Sequence, residues 1–172
     1  LKLELSEHDW YRLRDLAAGL GLEFMGSAWD RASADLLESL DTPAIKTPSA
    51  VLTDLDLLEY IAGKGRPMIV STGMSTLEEV DQAVDRILRR TDRLILLQCT
   101  SAYPSEFIDI NLRAMQTLRS RYGVLVGYSG RNTQAAGQHG HSRKHRGPLS
   151  TPASSYNRRR PGRWRPVDRF AG

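Results

Sequence analysis

Five short apolar runs recur along the first 130 residues at a nearly even pitch, and this pitch limits the fold more than any other feature. They are "LEFMGS" (22–27), "AIK" (44–46), "PMIVS" (67–71), "LILLQCT" (94–100) and "VLVGYS" (124–129), with starts 22, 23, 27 and 30 residues apart. Runs of this length, apolar almost throughout, read as strands buried on both faces of a parallel sheet. The segments between them have helical periodicity, so the spacing predicts consecutive βα units and an α/β fold.

Helix punctuation agrees. Ser6 with Asp9 predicts a capping pair for a helix closed by Gly19 and Gly21, and Ser75 with Glu78 predicts a capping box ahead of the stripe Leu77, Val80, Val84, Ile87 and Leu88. Asp30 and Asp54 are suited to cap two more helices, and a last helix near 110–122 ends at Gly123. Such stripes are first of all core-packing faces.

Beyond Gly130 the pattern stops. Residues 1–130 hold 14 Lys and Arg against 19 Asp and Glu, a net of −5, whereas residues 131–172 hold 10 against 1, a net of +9. The tail has nine Arg but only three Leu, Val or Phe, namely Leu149, Val167 and Phe170. A segment like this buries too little apolar surface to offset its ordering entropy, so 131–172 is expected to be an irregular or disordered basic tail after a domain at 1–130.

The single cysteine, Cys99, excludes an intramolecular disulfide and suits a reducing compartment. Nothing in the chain approaches the roughly 20 apolar residues of a membrane span, and the opening "LKLELSEHDW" lacks a leader pattern and reads as if an earlier portion were missing. A cytoplasmic location is expected.

Each run ends on a polar residue: Ser27, Lys46, Ser71, Thr100 and Ser129. In parallel α/β folds the carboxyl ends of the strands share one rim, so four hydroxyls and one ammonium would meet there, a set suited to an anion. Ser and Thr after strands also cap helices, and Lys46 could instead snorkel to the surface or form a Schiff base. In "STGMST" (71–76) Gly73 sits where backbone N–H groups can face an anion. In "CTSAYPS" (99–105) Ser101 and Tyr103 are placed to line a pocket, while Cys99 reads as a packed thiol.

"AIKTPSAVLTDLDLLEYIAGKGRPMIVSTGMSTLEEVDQAV", followed by "ILLQCTSAYPS", "NLRAMQTL" and "VGYSG", resembles the sialic acid synthase (N-acetylneuraminate synthase) family over about 130 residues. The resemblance implies a partial (β/α)8 TIM-type barrel of about five βα units, here followed by the basic tail. It implies condensation of phosphoenolpyruvate with an N-acetylaminosugar of the N-acetylmannosamine type, in nonulosonic acid, capsule or spore coat polysaccharide synthesis. It also implies a homodimer and a divalent metal, Mn2+ or Mg2+. By position, Lys46 of "IKTPS" is the catalytic residue meeting the phosphoenolpyruvate carboxylate or phosphate, with Ser49 beside it. The resemblance further implies that Ser71 of "VSTGM" and Ser129 of "GYSG" meet the phosphate; Ser101 stands where the family often has Asn or Ser, and Ser27 of "FMGSAWD" replaces a Thr.

The departures lie at the end of the matching region. Arg131 stands where the family places a metal-binding His, and "QHGHSRKHRGPLS" has no counterpart of the family's "EKH"-type strand, so the metal's histidine ligands are expected to be missing. His139, His141 and His145 lie in loop-like sequence. These features lead us to expect an altered reading frame near Gly130 and negligible synthase turnover by this chain. Two other readings are a lysine aldolase using Lys46 and a non-catalytic module whose tail attracts nucleic acid or other anions nonspecifically; no specific nucleic-acid fold and no membrane partner are expected.

Overall fold

The computed structural model describes residues 5–102, 105 and 109–130. Along the chain run α1 (Glu7–Gly19), α2 (Arg31–Ser39), β1 (Ile45–Thr47), a 3-10 turn (Ser49–Val51), α3 (Leu55–Ala62), β2 (Met68–Ser71), α4 (Leu77–Leu88), β3 (Leu94–Cys99), α5 (Ala114–Tyr122) and β4 (Leu125–Ser129). The strands form one parallel sheet in the order β1-β2-β3-β4, so the predicted α/β architecture holds.

The first apolar run departs from expectation. Residues 22–27 contribute a single parallel bridge, Ser27 to Lys46, in which the Ala28 N–H donates to Lys46 O (2.8 Å) and the Lys46 N–H to Gly26 O (3.4 Å). The neighbouring strand sets this limit. Pro48 follows β1 directly and has no N–H to extend the ladder, which leaves β1 three residues long. Leu22 and Met25 stay exposed.

Caps place the helices. Ser6 and Asp9 form the predicted capping box on α1, Asp30 and Ser33 form one on α2, and the Asp54 carboxylate accepts from the Leu57 N–H on α3. The box on α4 lies one residue later than the spacing predicts: Thr76 is the N-cap and Glu79 its reciprocal partner. The Ser75 hydroxyl instead donates to Gly73 O, because the left-handed Met74 (φ 61°) delays the helix start. Gly123, also left-handed (φ 65°), ends α5 as expected.

Alternation along the strands gives the sheet two faces. Ile45, Met68, Val70, Leu94 and Leu96 point into the helices and pack with Leu58 and Ile61 of α3, Val84 and Ile87 of α4 and Leu118 of α5. Thr47 shares this face; it is fully buried and its Oγ1 finds no hydrogen-bond partner among the described residues. The opposite face carries Lys46, Ile69, Ser71, Leu97 and Ser129. α5, and with it β4, is tied to α4 by Asp81, whose carboxylate accepts from Arg121 Nε (2.7 Å), Arg121 Nη2 (2.5 Å) and Tyr122 Oη (2.8 Å). The Arg121 hydrogen bond, with Tyr122 adding to it, holds this carboxyl down to about 2. By contrast α1 buries no residue and is held by Tyr11 Oη donating to Ser39 Oγ (2.9 Å) and by Trp10 edge-on to Phe24.

Candidate functional site

Register alone assembles much of the rim. Ser27, Lys46, Ile69, Ile95 and Leu125 lie in one row across the sheet, followed by Ser71, Leu97 and Gly127, and then by Cys99 and Ser129. Side chains two apart on a strand share a face, so Ser27, Lys46, Ser71 and Ser129 all project from the face away from the helices. The face is apolar at its base and becomes hydroxyl-bearing toward the strand ends.

One correction concerns Lys46. It is the middle residue of β1, and Thr47 ends the strand with its side chain on the helical side. Lys46 thus lies lower on the rim than expected and is half-buried. Among the described residues it forms no ion pair. Ser71 is buried at the end of β2, and its hydroxyl makes no hydrogen bond among the described residues. Ser27 is exposed and Ser129 is half-buried on the edge strand β4.

The post-strand loops complete the arrangement. Ser49, in the 3-10 turn after β1, accepts a hydrogen bond from the Gly73 N–H at 3.0 Å. Ser101, just past β3, lies against the same glycine: a Cβ built there would stand 2.6 Å from Ser101 Oγ and 2.9 Å from Ser49 Oγ. Three loops separated by more than 20 residues in sequence therefore touch at Gly73. The Gly73 N–H is already taken by Ser49, which revises the expectation that this loop presents it to an anion. Thr72 is also committed, with both its N–H (3.0 Å) and its Oγ1 (3.1 Å) donating to Leu97 O.

Of the sequence-predicted site residues, Ser49 and Ser101 meet at Gly73, with Ser71 two residues before it on β2. Ser27 and Lys46 pair across the β1 edge, and Ser129 stands three strands from Lys46 on the same face. Thr100, counted among the strand-end hydroxyls, instead donates to Asp109 O (2.7 Å) and secures the loop after β3. Cys99 is packed, its Sγ 3.4 Å from Leu97 O. Sequence reading missed the anchoring roles of Thr72 and Thr100, although a Thr at the end of a strand is a recurrent signal for such side-chain-to-backbone bonds. Tyr103, Arg131 and the tail histidines lie outside the described residues.

A concavity of about 600 Å3 lies elsewhere, on the outer helical face by Arg31, Glu38, Glu59, Tyr60, Lys64 and Arg90. Its charges largely satisfy one another. Lys64 pairs with Asp35 (2.5 Å) and Glu38 (2.7 Å), and Arg90 with Glu59 (2.6 Å). Burial alone would lower the Lys64 pKa, but the bonds to Asp35 and Glu38 outweigh it and raise the value. This network fastens α2, α3 and α4 together, whereas among the described residues the Ser71 hydroxyl and the Lys46 ammonium on the rim are unpaired.

Among the described residues no group of three or more His, Cys, Asp or Glu is arranged to hold a metal ion. The rim's hydroxyls and ammonium also do not fit a divalent cation, which takes carboxylate, carbonyl or imidazole donors. No helix among the described residues is long and apolar enough to cross a membrane.

Known proteins are similar to this chain in sequence and in fold. A family model described as the NeuB family covers residues 1–139. An N,N'-diacetyllegionaminic acid synthase of Legionella pneumophila is 46% identical over 132 residues, covering 74% of this chain and 37% of that protein. The human N-acetylneuraminate-9-phosphate synthase is 35% identical over 136 residues, covering 78% and 38%. The crystal structure of an N-acetylneuraminic acid synthetase from Leptospira borgpetersenii, in complex with citrate, superposes with a TM-score of 0.72 at 29% identity, over 75% of this chain and 45% of that one. The chain thus spans less than two-fifths of the length of these two relatives.

Proposed function

We propose, from the premise that this chain belongs to the NeuB family, that its rim is the phosphoenolpyruvate-binding part of a nonulosonic acid synthase, an enzyme joining phosphoenolpyruvate to an N-acetylaminosugar. The reaction adds water at C2 of phosphoenolpyruvate, forms a bond from its C3 to the sugar aldehyde carbon, and releases inorganic phosphate. A site for it needs a cradle for two anionic groups on one small molecule. Ser71, Ser101 and Ser129 supply hydroxyl donors for phosphate oxygens, Ser49 extends the same cradle, and Ser27 borders it beside Lys46. Lys46 supplies the point charge that neutralises the carboxylate or phosphate, worth most where the surrounding face excludes water.

The observation that carries this reading is the meeting of Ser49 and Ser101 at Gly73, two residues beyond Ser71, whose hydroxyl has no partner among the described residues and which shares its sheet face with Lys46. Such a cluster fits an anion and disfavours a cation. The aminosugar, of the N-acetylmannosamine type by resemblance, would enter above the phosphoenolpyruvate. The test is calorimetric titration of the full chain with phosphoenolpyruvate. Saturable binding, competed by inorganic phosphate and weakened by Ser71→Ala, supports the reading; no heat of binding, or equal binding by the variant, counts against it. Borohydride trapping with pyruvate separates the aldolase alternative, since only an imine at Lys46 leaves a reduced adduct on that residue.

A further inference from the structure

We propose that Gly73 is a positioning residue of the rim: the space left by its absent side chain, together with its N–H, sets where the Ser49 and Ser101 hydroxyls stand. The functional side of this inference rests on the phosphoenolpyruvate reading above; its structural side does not. Glycine is usually required where the backbone takes a positive φ. Gly73 does not, since Gly21, Gly65 and Gly123 are the glycines with positive φ among the described residues, and the left-handed turn in this loop falls on Met74. Its own backbone conformation is therefore open to alanine, and the obstacle is what a methyl group would meet.

That methyl would lie 2.6 Å from Ser101 Oγ, 2.9 Å from Ser49 Oγ and 3.2 Å from Cys99 O. The flanking backbones have little freedom to retreat. Thr72 is bonded twice to Leu97 O, and Thr100 holds Asp109 O at 2.7 Å. Relief must come from the two hydroxyls, which would rotate away from the positions they now hold. The N–H acts in the same direction: by donating to Ser49 Oγ at 3.0 Å it occupies one lone pair and leaves the hydroxyl proton for another acceptor. Among the described residues that proton has no acceptor, so it is available to an anion entering the rim.

The experiment compares Gly73→Ala, the double variant Ser49→Ala with Ser101→Ala, and the triple variant, all in the full chain, by urea unfolding and by phosphoenolpyruvate calorimetry. Gly73→Ala should fold with a lowered unfolding midpoint, and most of that loss should vanish in the double-variant background, where both hydroxyls are gone. Phosphoenolpyruvate affinity should fall on the order of tenfold in Gly73→Ala, with little further loss when it is added to the double variant. An equal midpoint loss in both backgrounds would assign the glycine to the Cys99 carbonyl or the backbone and overturn the proposal. So would unchanged affinity in a folded Gly73→Ala protein. If the wild-type chain fails to bind phosphoenolpyruvate, the functional reading falls, while the unfolding comparison still decides whether Gly73 sets the hydroxyls.

Discussion

Replacing Lys46 by methionine removes one charge and leaves the fold almost untouched. The residue sits between the fully buried Ile45 and Thr47, its backbone bonds to Gly26 and Ala28 do not involve the side chain, and among the described residues its ammonium forms no ion pair. Stability should change by less than about 1 kcal/mol. Lys46 pairs with Ile69, and Ser71 lies two residues farther along β2, which puts the Lys46 and Ser71 Cα atoms about 8 Å apart from strand geometry. A four-carbon stem spans most of that gap, so ammonium and hydroxyl can grip one anion. At about 4 Å and an effective dielectric near 20, the Coulomb attraction is roughly 4 kcal/mol. After desolvation a charged contact keeps about 1.5–3 kcal/mol, or roughly a 10- to 150-fold loss of phosphoenolpyruvate affinity. Calorimetry on both proteins, with urea unfolding to show that the variant is folded, measures it. Equal affinity for wild type and Lys46→Met would refute the role given to this lysine.

Three further outcomes follow from the geometry. Thr47→Val removes a fully buried hydroxyl without a partner while preserving shape, and should raise stability by about 1 kcal/mol; a lower urea midpoint would mean that the hydroxyl is satisfied. Thr76→Ala deletes the acceptor of the Glu79 N–H and one half of the α4 capping box, and should cost about 1 kcal/mol, measured by thermal unfolding. The tie from Asp81 to α5 has a definite pH window. Its pKa is depressed in the folded state, so its contribution is complete above the ordinary 3.8 and is lost as pH falls toward about 2. Asp81→Asn should flatten the stability profile in that interval, and a profile as steep as that of wild type would contradict the assignment.

Much of the fold was legible because its signals are local. The pitch of the apolar runs required parallel βα units, and Ser6, Asp30, Asp54 and Gly123 marked helix ends that the structure retains. What escaped the sequence depended on partners. "LEFMGS" looks like a strand, but with β1 cut short by Pro48 it has one residue to pair with. The α4 cap moved one residue because Met74 adopts a left-handed turn that no β-unbranched side chain announces. For the site, parity along the strands puts Lys46, Ser71 and Ser129 on one face, as their positions in the apolar runs predict. The contact of Ser49 and Ser101 across Gly73 joins loops distant in sequence, and spacing alone carries no trace of it.

The most direct test of the account is a phosphoenolpyruvate titration of the isotopically labelled chain, followed residue by residue through its backbone amide resonances. A phosphoenolpyruvate site on the rim gives saturable shifts concentrated at Lys46, Ser49, Ser71, Gly73, Ser101 and Ser129, all with one dissociation constant. Shifts centred instead on Arg31, Tyr60 and Lys64 of the outer concavity, or a titration that leaves Ser71 and Gly73 unmoved, would contradict it.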